Sequence, residues 1–229
     1  LLGAVDTARE AYRGGPDAIE VVVADNGSTD RTAEVATQWG CLAVTVTERR
    51  IASVRNGGAA VAKGEILAFV DADMRIHPDT FNAVDDSLES GKVVAGATGI
   101  ALTYAVMVPW VWLLRMDTGV VFCSADDFHS VGGYDETRYF GEDVKLLVDL
   151  KRIGRQRGQR LARVRASKAL GSMRKFDSYG DWHYFTQVLR LVPGLFRPPE
   201  TLDDWVREYW YSDGPRGGEE ARARHDLAP

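Results

Sequence analysis

Apolar positions along the chain follow two periods. Leu1, Leu2, Val5, Ala8 and Tyr12 recur near 3.6 residues, with Asp6, Arg9, Glu10 and Arg13 between them. This predicts a short amphipathic helix over 1–13, stopped by Gly14-Gly15-Pro16. Residues 19–24 form a β-branched run broken by Asp25-Asn26-Gly27-Ser28, which reads as a buried strand entering a loop. Ser28 or Thr29 then starts a helix reaching Gly40, with Asp30 near its positive end.

The pattern repeats. A strand over 42–47, a small-residue helix over 53–63, a strand over 65–70 and a helix over 78–90 follow in turn. Strand–helix alternation at these spacings predicts an α/β fold, a Rossmann-related and mostly parallel sheet flanked by helices. Two further strands are expected within 93–104 and 119–124. A helix over 142–153 carries Val144, Leu147, Val148 and Leu150 as its apolar positions. The apolar stretch 104–116, with Pro109, Trp110 and Trp112, is too short to span a bilayer. It reads as a buried helix, with an interfacial or acceptor-facing element as the other reading.

Composition narrows the classes. The 229 residues are 45% hydrophobic and 27% charged, with a net charge of −5. That is an ordinary globular balance, and the acidic pI of about 5.4 gives no whole-chain attraction to nucleic acid, so no nucleic-acid partner is expected. Two cysteines, Cys41 and Cys123, do not support a disulfide scaffold or a cysteine-built zinc site. No basic and then apolar leader follows Leu1, and the cytoplasm, including the inner face of a membrane where peripheral contact is made, is the expected compartment.

Acids cluster at strand ends. Asp71 and Asp73 follow an apolar strand; if it persists through both, they share one side with Cα atoms roughly 6.6 Å apart. A divalent cation bound together with phosphate relieves their repulsion, whereas helix capping or a solvated turn is the bland alternative. Asp25 ends another strand, where it can accept from a base N–H or a ribose hydroxyl, or merely shape a turn. Neither G-x-G-x-x-G nor a G-x-x-x-x-G-K-[ST] phosphate loop follows. Arg49, Arg50 and Arg55, ahead of Asn56-Gly57-Gly58, are candidates for diphosphate contact or a solvated basic face. Glu142 and Asp143, after Gly132-Gly133-Tyr134-Asp135-Glu136 and Gly141, sit where they either cap a helix or supply a carboxylate base.

In this order VVVADNGSTDRT, the RNGG segment, GEILAFVDAD, VGGYDE and GEDVKLLVDLKRIG resemble family 2 glycosyltransferases, over about residues 15–157 with a weaker echo at Ser172-Met173-Arg174-Lys175-Phe176. The resemblance implies a GT-A fold and inverting transfer of a sugar from a nucleoside diphosphate, UDP being one candidate. The acceptor is a carbohydrate, lipid-linked or small-molecule hydroxyl. It implies that Asp25 contacts the nucleotide base, with Asn26 where a second aspartate is common, and that Arg49 or Arg50 faces the donor. Asp71 and Asp73 match a D-x-D pair holding Mg²⁺ or Mn²⁺, Asp73 most directly, and Asp143 matches the general base, with Glu142 beside it. Arg174 and Lys175 lie where a C-terminal loop would close over the donor phosphates, and Trp182 and His183 read as a buried aromatic and a satisfied surface histidine, with shaping of the acceptor site as the other reading. The Q-x-x-R-W signature of processive synthases does not occur, so a non-processive enzyme is expected. A nucleotidyltransferase and a noncatalytic nucleotide-sugar-binding protein are the alternatives. The first strand here resembles the family's second, which implies an N-terminally truncated domain over 1–165. Residues 166–229 are then a helical and loop extension packed on it.

Overall fold

The structure, a computed structural model, describes residues 1–101, 118–138 and 141–170. The chain divides into two compact units, one of Leu1–Thr137 with Gly141–Ser172 and one of Arg138–Phe140 with Met173–Pro229. Every described strand and helix belongs to the first. The expectations for 104–116 and for Arg174, Lys175, Trp182 and His183 lie outside the described residues.

Six strands and six α-helices are described. Helix α1 (Leu2–Glu10) leads through a 3₁₀ turn (Pro16–Ala18) to β1 (Val22–Asp25). Then come α2 (Thr32–Gln38), β2 (Leu42–Thr45), α3 (Ile51–Val61), β3 (Ile66–Phe69) and α4 (Thr80–Glu89). Strands β4 (Val93–Ala101) and β5 (Thr118–Ser124) precede α5 (Ala125–Ser130), α6 (Glu142–Gln156) and β6 (Arg160–Leu170). The alternation expected from the sequence is present, with strand and helix ends displaced by a few residues.

The α/β layering with flanking helices is the expected fold class, and its pairing is mixed. Strands β1 and β2 pair in parallel, and a four-stranded sheet runs β3-β5-β4-β6. Strand β5 enters between β3 and β4 antiparallel to both, while β4 and β6 are parallel. The main core gathers Ala52 and Ala59 of α3, Leu67, Val94, Ala95, Val121 and Cys123 of the sheet, and Phe128, Tyr134, Leu146 and Leu150 around it. A smaller cluster of Val5, Ala8, Ile76 and Val120 fixes α1, with Val21, Val70 and Phe81 against it.

Two packing details set the site. Helix α3 lies close on β1 and β2 because Gly57 has no side chain: a Cβ there would stand 2.5 Å from Val46 Cγ2. Helix α6 turns Leu146 and Leu150 inward, each burial contributing about 1.5–3 kcal/mol. Val144 and Val148, expected on that apolar face, are exposed. Both pairs repeat at i, i+4, but the second lies about 160° around the helix from the first. The face that buries Leu146 and Leu150 also carries Glu142, one turn ahead of Leu146, with Asp143 beside it.

Candidate functional site

At the end of β1 the Asp25 carboxylate is buried and accepts the Ser28 N–H at 3.1 and 3.3 Å, closing the turn that Gly27 completes with φ 71°. Asn26 donates both amide hydrogens, each at 2.8 Å, to the carbonyls of Val46 and Glu48. Asn26 therefore ties the loop after β2 to the end of β1. Asp30 accepts the Thr32 N–H at 3.0 Å at the entry to α2, and its bonds to Thr32 hold its carboxyl below the usual range. Arg49 is exposed ahead of α3, and Arg50 donates to the Glu136 carbonyl.

Asp71 and Asp73 occupy the turn after β3, both exposed, with the Met74 N–H bonded to the Asp71 carbonyl at 3.0 Å. As hard oxygen donors they suit Mg²⁺ or Mn²⁺. Among the described residues no group of three or more His, Cys, Asp or Glu side chains is arranged to hold an ion. Two carboxylates supply only part of such an ion's oxygen shell and leave the rest to other donors.

Arg55, half-buried on α3, joins three carboxylates. Its Nη2 donates to Asp71 at 2.8 Å, and its Nη1 to Glu142 at 3.0 Å and Asp143 at 2.8 Å. The guanidinium carbon lies 5.1 Å from the centre of the Tyr134 ring, within cation–π range. Of the residues that the motifs single out, the geometry thus brings together Asp71, Glu142, Asp143 and Arg55. The guanidinium considered for diphosphate contact is engaged by acids. Gly141 precedes α6 as its N-cap with φ 71°, and Glu142 and Asp143 stand in the first turn, where their carboxylates are bonded by Arg55.

Burial pushes the Asp143 carboxyl up to about 6; Arg55 opposes the shift, and Glu142 and Asp71 add to it. Burial alone would lower Arg55, but Asp143, Tyr134 and Asp71 outweigh it and raise its affinity for its proton. The Tyr134 hydroxyl is buried and is held well above its usual range by burial and then by Asp143.

A second group of residues, around Asn56, has no signal in the sequence beyond its motifs. Asn56 donates to the Tyr134 carbonyl at 2.9 Å and to Glu136 Oε1 at 2.7 Å, and accepts the Tyr134 N–H at 2.8 Å. Ser53 Oγ donates to the other Glu136 oxygen at 2.9 Å. Gly133 must be glycine on two grounds: its φ is 72°, and a Cβ would lie 2.7 Å from Asn56 Oδ1. The RNGG and VGGYDE segments are thus two halves of one clamp.

Residues 1–103 match the family model described as Glycosyl transferase family 2. Validoxylamine A glucosyltransferase of Streptomyces hygroscopicus subsp. limoneus is 27% identical, over 57% of this chain and 40% of its own length. The chain spans about two fifths of the two validoxylamine A glucosyltransferases it matches. Mannosyltransferase PcManGT of Pyrobaculum calidifontis, solved with GDP-Man and Mn²⁺, superposes with a TM-score of 0.60 at 20% identity, covering 75% of this chain and 52% of that one. Glucosyl-3-phosphoglycerate synthase of Mycobacterium tuberculosis, solved with Mn²⁺, UDP and phosphoglyceric acid, gives 0.57 at 21% identity, covering 78% and 68%. These likenesses show a GT-A fold. Among the described residues, no helix is long and apolar enough to cross a membrane.

Proposed function

We propose that this chain, which carries a glycosyl transferase family 2 domain, moves a sugar from a nucleoside diphosphate to an acceptor hydroxyl, with inversion and one sugar per encounter. The observation that carries the reading is the convergence on Arg55 of Asp71, from the end of β3, with Glu142 and Asp143, from the start of α6. Donor-side and acceptor-side carboxylates lie within one guanidinium's reach, as a displacement at a single carbon requires.

Asp25 and the loop tied by Asn26 receive the nucleotide, and Arg49 and Arg50 face its phosphates. Asp71 and Asp73 would hold Mg²⁺ or Mn²⁺, which when bound neutralises charge growing on the departing diphosphate. Asp143 takes the acceptor proton onto a carboxylate oxygen as the acceptor oxygen bonds to the anomeric carbon. The bond from that carbon to the diphosphate oxygen breaks with its electron pair leaving on the nucleotide. A carboxyl near 6 suits the task, being ionised at neutral pH yet more basic than an ordinary aspartate. Glu142 shares Arg55 and keeps the local charge negative, where the acceptor hydroxyl approaches.

The test incubates the chain with GDP- and UDP-linked sugars, Mn²⁺ and a panel of sugar, lipid-linked and small-molecule acceptors, with product analysis by mass spectrometry. Stoichiometric release of nucleoside diphosphate with a product of inverted anomeric configuration is expected. Binding without turnover on every acceptor, or nucleotidyl transfer instead, would overturn the reading.

A further inference from the structure

The two arms of Arg55 differ in what surrounds them. Nη1 serves Glu142 and Asp143, whose side chains are 12% and 21% exposed, whereas Nη2 serves Asp71, which is 47% exposed. The guanidinium itself is 14% exposed and lies over Tyr134. An ion pair in water is weakly held, and a desolvated one is costly to break singly. The planar fork puts the two contacts on different nitrogens, so one can open while the other stays. The Asp71 arm is therefore the less costly of the two to open.

We infer that Arg55 is a positioning residue that competes with a donor-borne cation for Asp71. The inference rests on the functional reading above, in which Asp71 is a cation ligand. When Asp71 turns to the cation, Nη2 is released while Nη1 keeps Glu142 and Asp143 in place at the start of α6. Donor loading is thereby linked to the acceptor side through one side chain. Affinity should respond in a specific way. Arg55 is the positive charge paired with Asp71, so replacing it by a neutral residue tightens cation binding even as it loosens the acceptor-side acids. A residue of merely structural importance would weaken binding instead.

The experiment titrates Mn²⁺ into the full 229-residue chain with UDP present, following free Mn²⁺ by electron paramagnetic resonance. Arg55→Gln is expected to bind Mn²⁺ about tenfold more tightly than wild type, Arg55→Lys close to wild type, and the Arg55→Gln/Asp71→Asn pair no better than Asp71→Asn alone. Circular dichroism establishes that each variant is folded. Unmutated protein carrying ¹⁵N-labelled arginine supplies a second measurement. Adding Mg²⁺ and UDP should move the Arg55 Nη2 resonance while Nη1 keeps its shift. Asp71-dependent binding that a folded Arg55→Gln leaves unchanged or weakens, or Nη resonances that do not respond separately, overturns the arm exchange alone. Binding equal in wild type and Asp71→Asn overturns the cation reading of Asp71 and this inference with it.

Discussion

The Asn56 side chain pairs with both backbone groups of Tyr134, accepting its N–H at 2.8 Å and donating to its carbonyl at 2.9 Å, as a neighbouring strand would. An amide side chain thereby fixes the turn on which the Tyr134 ring meets Arg55.

Asn56→Ala leaves both backbone groups of Tyr134 without a partner in a half-buried place. Unmade bonds of this kind cost about 1–3 kcal/mol each, and a loss of about 2–4 kcal/mol is expected. Urea denaturation measures it. A change below about 0.5 kcal/mol would mean that water replaces the clamp.

Gly57→Ala sets two effects against each other. Helix propensity alone favours alanine by about 1 kcal/mol, whereas a Cβ 2.5 Å from Val46 Cγ2 forces α3 off the β1–β2 pair at a cost of about 1–3 kcal/mol. The clash should prevail, giving a lower melting temperature that Val46→Ala partly restores. Stabilisation by Gly57→Ala would contradict the packing.

Asp143→Asn keeps size and removes the proton acceptor. Neutralising Asp143 loosens one contact to Arg55 but also removes a charge that burial disfavours, and the two effects oppose each other, so the melting temperature should move little. Acceptor transfer should fall by roughly 10²-fold or more while Mn²⁺–UDP affinity is retained. Steady-state kinetics with calorimetry of donor binding separates the two effects, and near-normal turnover with chemistry rate-limiting would remove Asp143 from the role.

The acid side of the rate profile should reflect the same residue. Asp143 is raised from 3.8 to about 6, first by burial, against Arg55 and with Glu142 and Asp71, so transfer should rise with pH through about 6, where it is half-maximal, and level off above it. The sign for stability is the reverse. A carboxyl raised in the folded state stabilises most below its ordinary value and loses that contribution as pH climbs through about 6. Rate profiles of wild type and Asp143→Asn, with thermal melts from about pH 4 to 8, check both signs.

Asp73→Ala should weaken donor binding in Mn²⁺ without changing the helices, since its side chain stands in an exposed turn. Calorimetry with UDP, in Mn²⁺ and after chelation, reads the effect. Equal affinity in both conditions for wild type would reject the cation assignment.

Much of this arrangement was legible in sequence because its signals are local. Asp25 and Asp71 each end or follow a short apolar run, and a strand with an acid at its carboxyl end is readable from one window. The start of α6 at Glu142 was equally plain. Its inward face was legible only in part: Leu150 is buried and Leu147 packs on the core as expected, but Val144 and Val148 repeat at the same interval as Leu146 and Leu150, and tertiary contact alone decides between them. Strand β6 escaped because Arg160, Arg163 and Lys168 interrupt its apolar positions, and charged residues are common on a strand that ends the order of the described strands, as β6 does. The partners of Arg55 were illegible for another reason: no periodicity relates a helix residue to acids far along the chain.

That distance has a kinetic meaning. Arg55 reaches Asp143 across 88 positions, Ser53 reaches Glu136 across 83, and Asn56 reaches Tyr134 across 78. Each tie closes a long loop, whose entropy must be met before the contact gives anything back, and long-range closures are slow steps. Because the three ties lie side by side, closing one nearly closes the others, and the carboxylate cluster should assemble in a single late event. In a refolding time course, helical signal should therefore recover ahead of nucleotide binding, with a window in which the chain has its secondary structure and no site.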